Sequence, residues 1–321
     1  MYWLTWRQHR AQVLATTGLL VVLGALLLAS ALDATRYLAE HVVAGCPGPA
    51  EQCRAVNAAL TQRYGLVYQA VLGILPLLGP ALVGAFWGAP LIGREFERGT
   101  NKLAWTQSVS VRRWLGVKVG LLAVLVVAAG LALSAMVGAW LSVFDDVVGP
   151  AFSNAGLFNL VGVAAAAWWL FAFTLGVAVS TIVRRTLAAM AVTFAVIALV
   201  FPVMVFARDA YAEPLRASYT EYQAILDQGA ILTGNVWTDT SGREIADPPS
   251  ALCPPAPGEA DTEAGQRKRD SCLAGQGYLA TVEYHPASRF WRFQWTQAAI
   301  LAVSTALLGA VAFSWTLRRR Q

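Results

Sequence analysis

The densest group of ionisable side chains lies between residues 93 and 114, around the run Arg-Glu-Phe-Glu-Arg-Gly-Thr. Arginines and glutamates stand here at helical spacing, so that Glu95 and Arg98 could pair across one turn. Phe96 and Trp105 lie among these charges. Arginines and large aromatic side chains are enriched at protein interfaces. The segment therefore predicts docking to another protein, and a solvated loop with ordinary ion pairs is the alternative.

Catalytic patterns are absent from the rest of the sequence. It contains no G-x-x-x-x-G-K-[ST] phosphate loop, no G-x-G-x-x-G turn, no H-E-x-x-H and no C-x-x-C. Asp209, Glu213, Glu221 and His285 could serve acid–base chemistry, but no recognisable spacing joins them. We therefore expect no enzyme activity, no metal site and no cofactor, and we expect His285 to be a surface residue beside a turn.

The composition indicates which solvent surrounds most of the chain. Of the 321 residues, 57% are hydrophobic and only 13% are charged, whereas soluble domains carry about 25% charged residues. Six segments lack Asp, Glu, Lys, Arg and His, and each reaches the roughly 20 residues that a membrane-spanning helix needs. They are Val13–Leu32, Leu66–Ile92, Val119–Val143, Phe158–Val183, Leu187–Ala207 and Gln297–Leu317.

Two features of these spans indicate where the chain turns and which class of compound it could transport. Spans four and five form one apolar stretch that only Arg184 and Arg185 interrupt, so the chain is expected to turn back at this pair. The lack of ionisable groups inside the spans disfavours proton-coupled transport and ion conduction. A hydrophobic or amphipathic cargo fits such spans better.

The placement of charge predicts the orientation of the spans. With both termini in the cytoplasm, the inside segments hold thirteen basic and two acidic residues, and the outside segments hold eleven basic and seventeen acidic residues. This asymmetry follows the positive-inside rule. The basic pI of 9.2 then needs no nucleic-acid partner.

The cysteines agree with this topology, since all four lie in segments assigned to the outside. Cys46 and Cys53 are separated by six residues, and Cys253 and Cys272 by eighteen. Neither spacing is that of a zinc knuckle. We expect two disulfides, Cys46–Cys53 and Cys253–Cys272, with four free thiols as the alternative.

The chain is expected to divide into three parts. Residues 1–207 comprise an N-terminal interfacial segment and spans one to five, with the inside loop 93–114. Residues 208–296 form an outside loop or subdomain, in which Asp209–Gln228 has helical character and Asp247–Asp270 resembles a mobile loop. Residues 297–321 are span six and a basic tail.

The N-terminal segment admits alternatives. Tyr2, Trp3 and Trp6 beside Arg7 and Arg10 could form an interfacial elbow helix or simply flank span one. Span one is expected to be retained, because a cleaved secretory signal usually has a shorter apolar run.

Span two has an unusual content of proline and glycine. Pro76, Pro80, Gly84 and Gly88 would kink the helix and allow close approach of a neighbour. These four residues are predicted to line a transport pathway, and tight helix packing is the alternative.

Several segments together resemble ABC-2 type ABC-transporter permeases, particularly those of actinobacteria. The similarity is carried by Arg94–Thr100, Leu103–Ser108, Ser110–Arg113, the opening Trp3–Arg10 and Pro286–Trp291. The family often has Pro and Ser-Arg where this chain has Val109 and Ser110-Val111, which leaves the end of the loop undefined.

The resemblance implies both a fold and a function. The fold is an all-α polytopic membrane protein with six transmembrane helices, both termini cytoplasmic and a large extracellular loop before the last helix. The function is that of the permease subunit of an exporter in a bacterial cell membrane. Its partners are an ATP-binding subunit that hydrolyses ATP and a second permease subunit, identical or not.

The resemblance also assigns roles to residues of the inside loop. It places the docking knob for the ATP-binding subunit, with its membrane exit, at Arg94, Glu95, Glu97, Arg98, Gly99, Thr100, Arg112 and Arg113. ATP binding would shift spans two and three through this knob. The alternatives are a membrane anchor or sensor without transport activity, or a membrane enzyme acting on lipids at the outer face.

Overall fold

The computed structural model describes residues 2–41, 54–98, 111–218, 221–249, 251–254 and 263–318. The chain forms two compact units, residues 1–208 with 291–321 and residues 209–290. Among the described residues, six helices are long and apolar enough to cross a membrane. The prediction of a helical polytopic membrane protein with six spans is confirmed.

The described elements of the first unit are helices, whereas the second unit contains both helices and short strands. The helices are α1 (Tyr2–His41), α2 (Arg54–Tyr68), α3 (Leu75–Val83), α4 (Ala89–Arg98), α5 (Val111–Val148), α6 (Ala155–Leu160), α7 (Ala164–Val183), α8 (Thr186–Ala207), α9 (Tyr222–Asp227), α10 (Glu263–Gly275) and α11 (Phe290–Arg318). The strands are β1 (Leu215–Ser218), β2 (Ile231–Thr238), β3 (Glu244–Ile245) and β4 (Leu279–His285).

The N-terminal segment is part of the first span's helix. α1 runs for 40 residues without a break, so no separate elbow helix forms. Trp3 is 68% exposed, and the Arg7 guanidinium lies 5.4 Å from the centre of its ring. This geometry matches the alternative of an aromatic and basic flank.

Span two departs twice from a regular α-helix. Two π-helical segments, Gln69–Ile74 and Gly84–Gly88, join α2, α3 and α4. Pro90 has no N–H to donate to the carbonyl of Phe86 four residues earlier, and Gln12 of α1 donates its Nε2–H to that carbonyl at 2.9 Å. A side chain of span one thus completes the backbone hydrogen bonding of span two.

Span four is broken near one end, which the sequence analysis did not anticipate. α6 ends at Leu160 and α7 begins at Ala164, with Gly162 between them at φ +66°. Gln294 of α11 bridges the break, because its Oε1 accepts from the Ala164 N–H at 2.9 Å and its Nε2 donates to the Phe158 carbonyl at 2.7 Å. Backbone groups inside a bilayer need such internal partners.

A second amide pair lies beside this break. Asn159 Oδ1 accepts hydrogen bonds from Gln297 Nε2 at 2.6 Å and from Trp168 Nε1 at 2.7 Å. All three side chains are buried. The contacts fasten span six to span four through buried polar groups.

Spans four and five turn back at the arginine pair, as predicted. α7 ends at Val183, and Arg184 adopts a left-handed conformation with φ +58°. Arg185 is extended, and α8 begins at Thr186. Both arginines are exposed in this turn.

The second unit contains an antiparallel sheet in the order β1-β4-β2-β3. Leu215 pairs with Tyr284, and Asn235 pairs with Val282. The apolar contacts of Ile225, Ala230 and Val282 form a small core. The helical prediction for Asp209–Gln228 missed β1.

The disulfide between Cys253 and Cys272 is present, with Cα atoms 6.1 Å apart. Cys46 and Cys53 lie outside the described residues. The loop expectation for Asp247–Asp270 is wrong at its C-terminal end, because α10 begins at Glu263. A cystine therefore joins this helix to the preceding segment.

His285 is buried within the second unit, so the expectation of a surface residue is wrong. Arg289 Nη1 donates to its Nδ1 at 2.8 Å, since a guanidinium has no acceptor. Its Nε2 then donates to the Asp209 carbonyl at 3.0 Å. The imidazole thus links Asp209 and Arg289 through hydrogen bonds.

The β2–β3 connection of the second unit is an Asx-type turn. Asp239 accepts from the Ser241 hydroxyl at 2.6 Å and from the Arg243 N–H at 3.0 Å. These hydrogen bonds lower the pKa of Asp239 to about 2. The carboxylate therefore keeps its charge, and the turn its hydrogen bonds, at physiological pH.

Candidate functional site

The candidate site lies where α4 ends, next to the start of α5 and the turn between α7 and α8. The structure describes Arg94, Glu95 and Glu97 of the predicted docking residues, and it places Arg113 on α5. The side chains of Arg98 and Arg112 are not among those described. Gly99 and Thr100 also lie outside the described residues, together with Val109 and Ser110.

Glu97 binds the first residue of the fifth span. Its Oε1 accepts from the Thr186 N–H, and its Oε2 accepts from the Thr186 hydroxyl, both at 2.8 Å. The first turn of α8 has no acidic residue, and Arg185 gives no side-chain cap. Glu97 thus supplies, from 89 residues away, the carboxylate that favours a helix N-terminus.

Two further contacts join the same segments. The Arg184 guanidinium lies 5.2 Å from the centre of the Phe96 ring, a cation–π arrangement. A Cβ added at Gly93 would lie 3.0 Å from Thr186 Oγ1, so α4 and the start of α8 pack closely. The C-terminal part of α4 is therefore attached to the turn between spans four and five.

Glu95 attaches the same part of α4 to span three. Lys118 of α5 donates from Nζ to Glu95 Oε1, and the lysine side chain is 5% exposed. Lys118 is buried, and a buried ammonium needs an opposite charge. The ion pair therefore fixes α4 against α5.

Arg94 and Arg113 are exposed, as is Glu97. Both carboxylates of this segment hydrogen-bond within the chain, and both arginines are accessible from outside. Among the described side chains of the site, the exposed charges are four arginines, Arg94, Arg113, Arg184 and Arg185, and one glutamate, Glu97. Such a surface suits a partner that presents acidic groups.

Lys118 and Thr186 are members of the site that were not predicted from the sequence. Lys118 was counted only as an inside charge, and Thr186 only followed the arginine pair. One signal was available for Thr186. A helix that starts without an acidic residue or a side-chain cap needs an acceptor from elsewhere for its first backbone N–H groups. The identity of that group could not be predicted from spacing.

The predicted pathway residues are packed inside the chain. Pro76, Pro80, Gly84 and Gly88 are all buried. A Cβ added at Gly84 would lie 2.6 Å from the Ala172 carbonyl oxygen, and one at Gly88 would lie 2.2 Å from that of Phe173. This contact is the tight packing given as the alternative, and a pathway role for the four residues stays a prediction.

Span two also lines an apolar cavity of about 360 Å³. Its walls come from spans one to four, including Leu20, Leu78, Phe86 and Trp169. Within the described ranges, no three His, Cys, Asp or Glu side chains are grouped so that they could hold a metal ion.

Comparison with known protein families gives a match. The family model described as ABC-2 membrane transporter related matches residues 17–208. This range covers more than half of the chain and includes most of span one, spans two to five and the candidate site. No curated protein and no solved structure matches the chain.

Proposed function

The chain belongs to the ABC-2 membrane transporter related family, and from that premise we propose that it is the permease subunit of a bacterial exporter. The family match over residues 17–208 is the observation that carries this proposal. Energy comes from ATP that a separate subunit binds and hydrolyses, because the chain itself has no phosphate-binding loop. Two permease subunits act together, as the resemblance implies.

The cargo in this proposal is a hydrophobic or amphipathic compound. The six uncharged segments of the sequence support it, because they offer no ionisable group for an ion or proton pathway. Export is the direction that the resemblance implies. Both termini and residues 93–114 face the cytosol of a bacterial cell, which the excess of basic residues in these segments supports.

The ATP-binding subunit docks on the surface that exposes Arg94 and Arg113. Closure of that subunit on ATP displaces residues 93–114, and the displacement reaches the spans as a rigid-body shift. The exposure of the two arginines supports their role in contact, and Glu95 and Glu97 hydrogen-bond to Lys118 and Thr186 of the same chain.

Reversing the charge of both exposed arginines is expected to remove the ATP-binding subunit. In the Arg94→Glu/Arg113→Glu variant, four units of charge change at the docking surface, so affinity should fall at least about tenfold, equivalent to about 1.4 kcal/mol. The measurement is co-purification of the tagged chain with a co-expressed ATP-binding subunit.

The matched control reverses two exposed arginines of segments assigned to the outside, Arg36 and Arg292. This variant should retain the ATP-binding subunit like the wild type. If no ATP-binding subunit co-purifies with the wild-type chain, the anchor or membrane-enzyme alternatives replace the proposed function.

A further inference from the structure

We infer that Glu97 is a positioning residue that transmits movement of the inside loop to span five. The resemblance places it in the docking knob, on the side of the ATP-binding subunit. This inference rests on the proposed function and deepens it, because it names the spans that the displacement reaches and the side chain that delivers it.

The two hydrogen bonds of Glu97 give it this role. Its carboxylate uses one oxygen for the Thr186 N–H and the other for the Thr186 hydroxyl, at 2.8 Å each. Thr186 is 7% exposed, whereas Glu97 is exposed, so these bonds join a surface residue to a buried one. A bidentate, charge-assisted contact constrains direction as well as distance. A shift of Glu97 therefore moves the first turn of α8.

The surrounding contacts make the attachment stiff. Phe96 lies under the Arg184 guanidinium, and Gly93 packs against Thr186. Three residues within little more than one turn of α4 thus contact Arg184 and Thr186. Because packed elements move as units, the end of α4 and the turn between spans four and five are expected to move together.

The contact between Glu97 and Thr186 adds a route by which movement of the inside loop reaches the spans. The resemblance suggests that spans two and three shift, and the Glu95–Lys118 ion pair does join α4 to span three. Glu97 adds a second route, to spans four and five. Among the six spans of the described residues, span four is the most buried. Movement delivered at its end is therefore transmitted to its neighbours.

The experiment uses the complete transporter, with the ATP-binding subunit bound, in lipid nanodiscs. Spin labels at position 187, where Leu187 is 80% exposed at the start of α8, and at position 124, where Val124 is 67% exposed on α5, report the distance between spans five and three. In the wild type, a non-hydrolysable ATP analogue should shift this distance. Retention of the ATP-binding subunit is measured on the same samples.

Glu97→Ala is expected to retain the ATP-binding subunit and to lose the nucleotide-dependent shift. Thr186→Val removes only the hydroxyl partner, so it should reduce the shift. The double variant should behave like Glu97→Ala alone, because both changes act on one contact. Glu97→Gln keeps one acceptor oxygen and should retain part of the shift. This variant replaces Glu97→Ala in the experiment if the alanine variant does not fold.

Two results would overturn the inference. Loss of the ATP-binding subunit from Glu97→Ala, in a chain that still elutes as a folded species, would make Glu97 a docking residue. A full distance shift in Glu97→Ala and Glu97→Gln would show that no movement passes through this contact. Failure of the wild-type chain to bind any ATP-binding subunit is a separate result, which would contradict the proposed function instead.

Discussion

Gly88→Ala is expected to destabilise the folded chain by about 3 kcal/mol. The added methyl group would lie 2.2 Å from the Phe173 carbonyl oxygen and 3.0 Å from the Gly176 Cα. Both obstacles are backbone atoms, which cannot rotate away, so spans two and four would have to separate. Small residues allow such backbone contact between membrane helices. Thermal unfolding in detergent micelles measures the loss.

The control for this change is Gly120→Ala on α5, where nothing lies within 4 Å of the new methyl group. Alanine favours helix over glycine by up to about 1 kcal/mol, so this variant should be at least as stable as the wild type. Equal melting temperatures for Gly88→Ala and the wild type would mean that the two spans do not cross as closely as described.

Gln294→Leu is expected to cost about 2–4 kcal/mol. The change leaves the Ala164 N–H and the Phe158 carbonyl at the break in span four without their side-chain partner. Neither water nor lipid replaces that partner, because Gln294 is fully buried. Hydrogen exchange at the start of α7, together with the melting temperature, measures the effect.

Thr296→Val is the matched control on the same helix. Its hydroxyl donates to the Arg292 carbonyl of its own helix at 2.9 Å, so the change removes no contact between spans. It should alter stability by less than about 1 kcal/mol. If Gln294→Leu exchanged as slowly as this control, the glutamine would not hold the break together.

The spans and their turn could be predicted because their signals are local. A run of about 20 uncharged residues by itself predicts a membrane-spanning helix. The apolar stretch of spans four and five is too long for one span, so the chain had to turn at Arg184 and Arg185. The break in span four gave no such signal. Asn159 and Gly162 are tolerated there because Gln294 and Gln297, more than 130 residues later, satisfy the groups around them.

The sequence predicts which segment carries the candidate site, but it does not reveal which neighbours its side chains contact. Charge density located the segment, and the resemblance assigned Glu97 to an external partner. Its internal partner is Thr186, at a sequence separation that no periodicity reveals. The sheet of the second unit was missed for a related reason, since its short strands pair across long separations, as β1 does with β4.

The central claim is that residues 93–114 face the cytosol and bind an ATP-binding subunit there. The most direct measurement labels an Arg94→Cys variant with a membrane-impermeant maleimide, in intact cells and in inverted membrane vesicles. We expect labelling in inverted vesicles only, and protection from the label when the ATP-binding subunit is bound. Labelling of position 94 in intact cells would contradict the account.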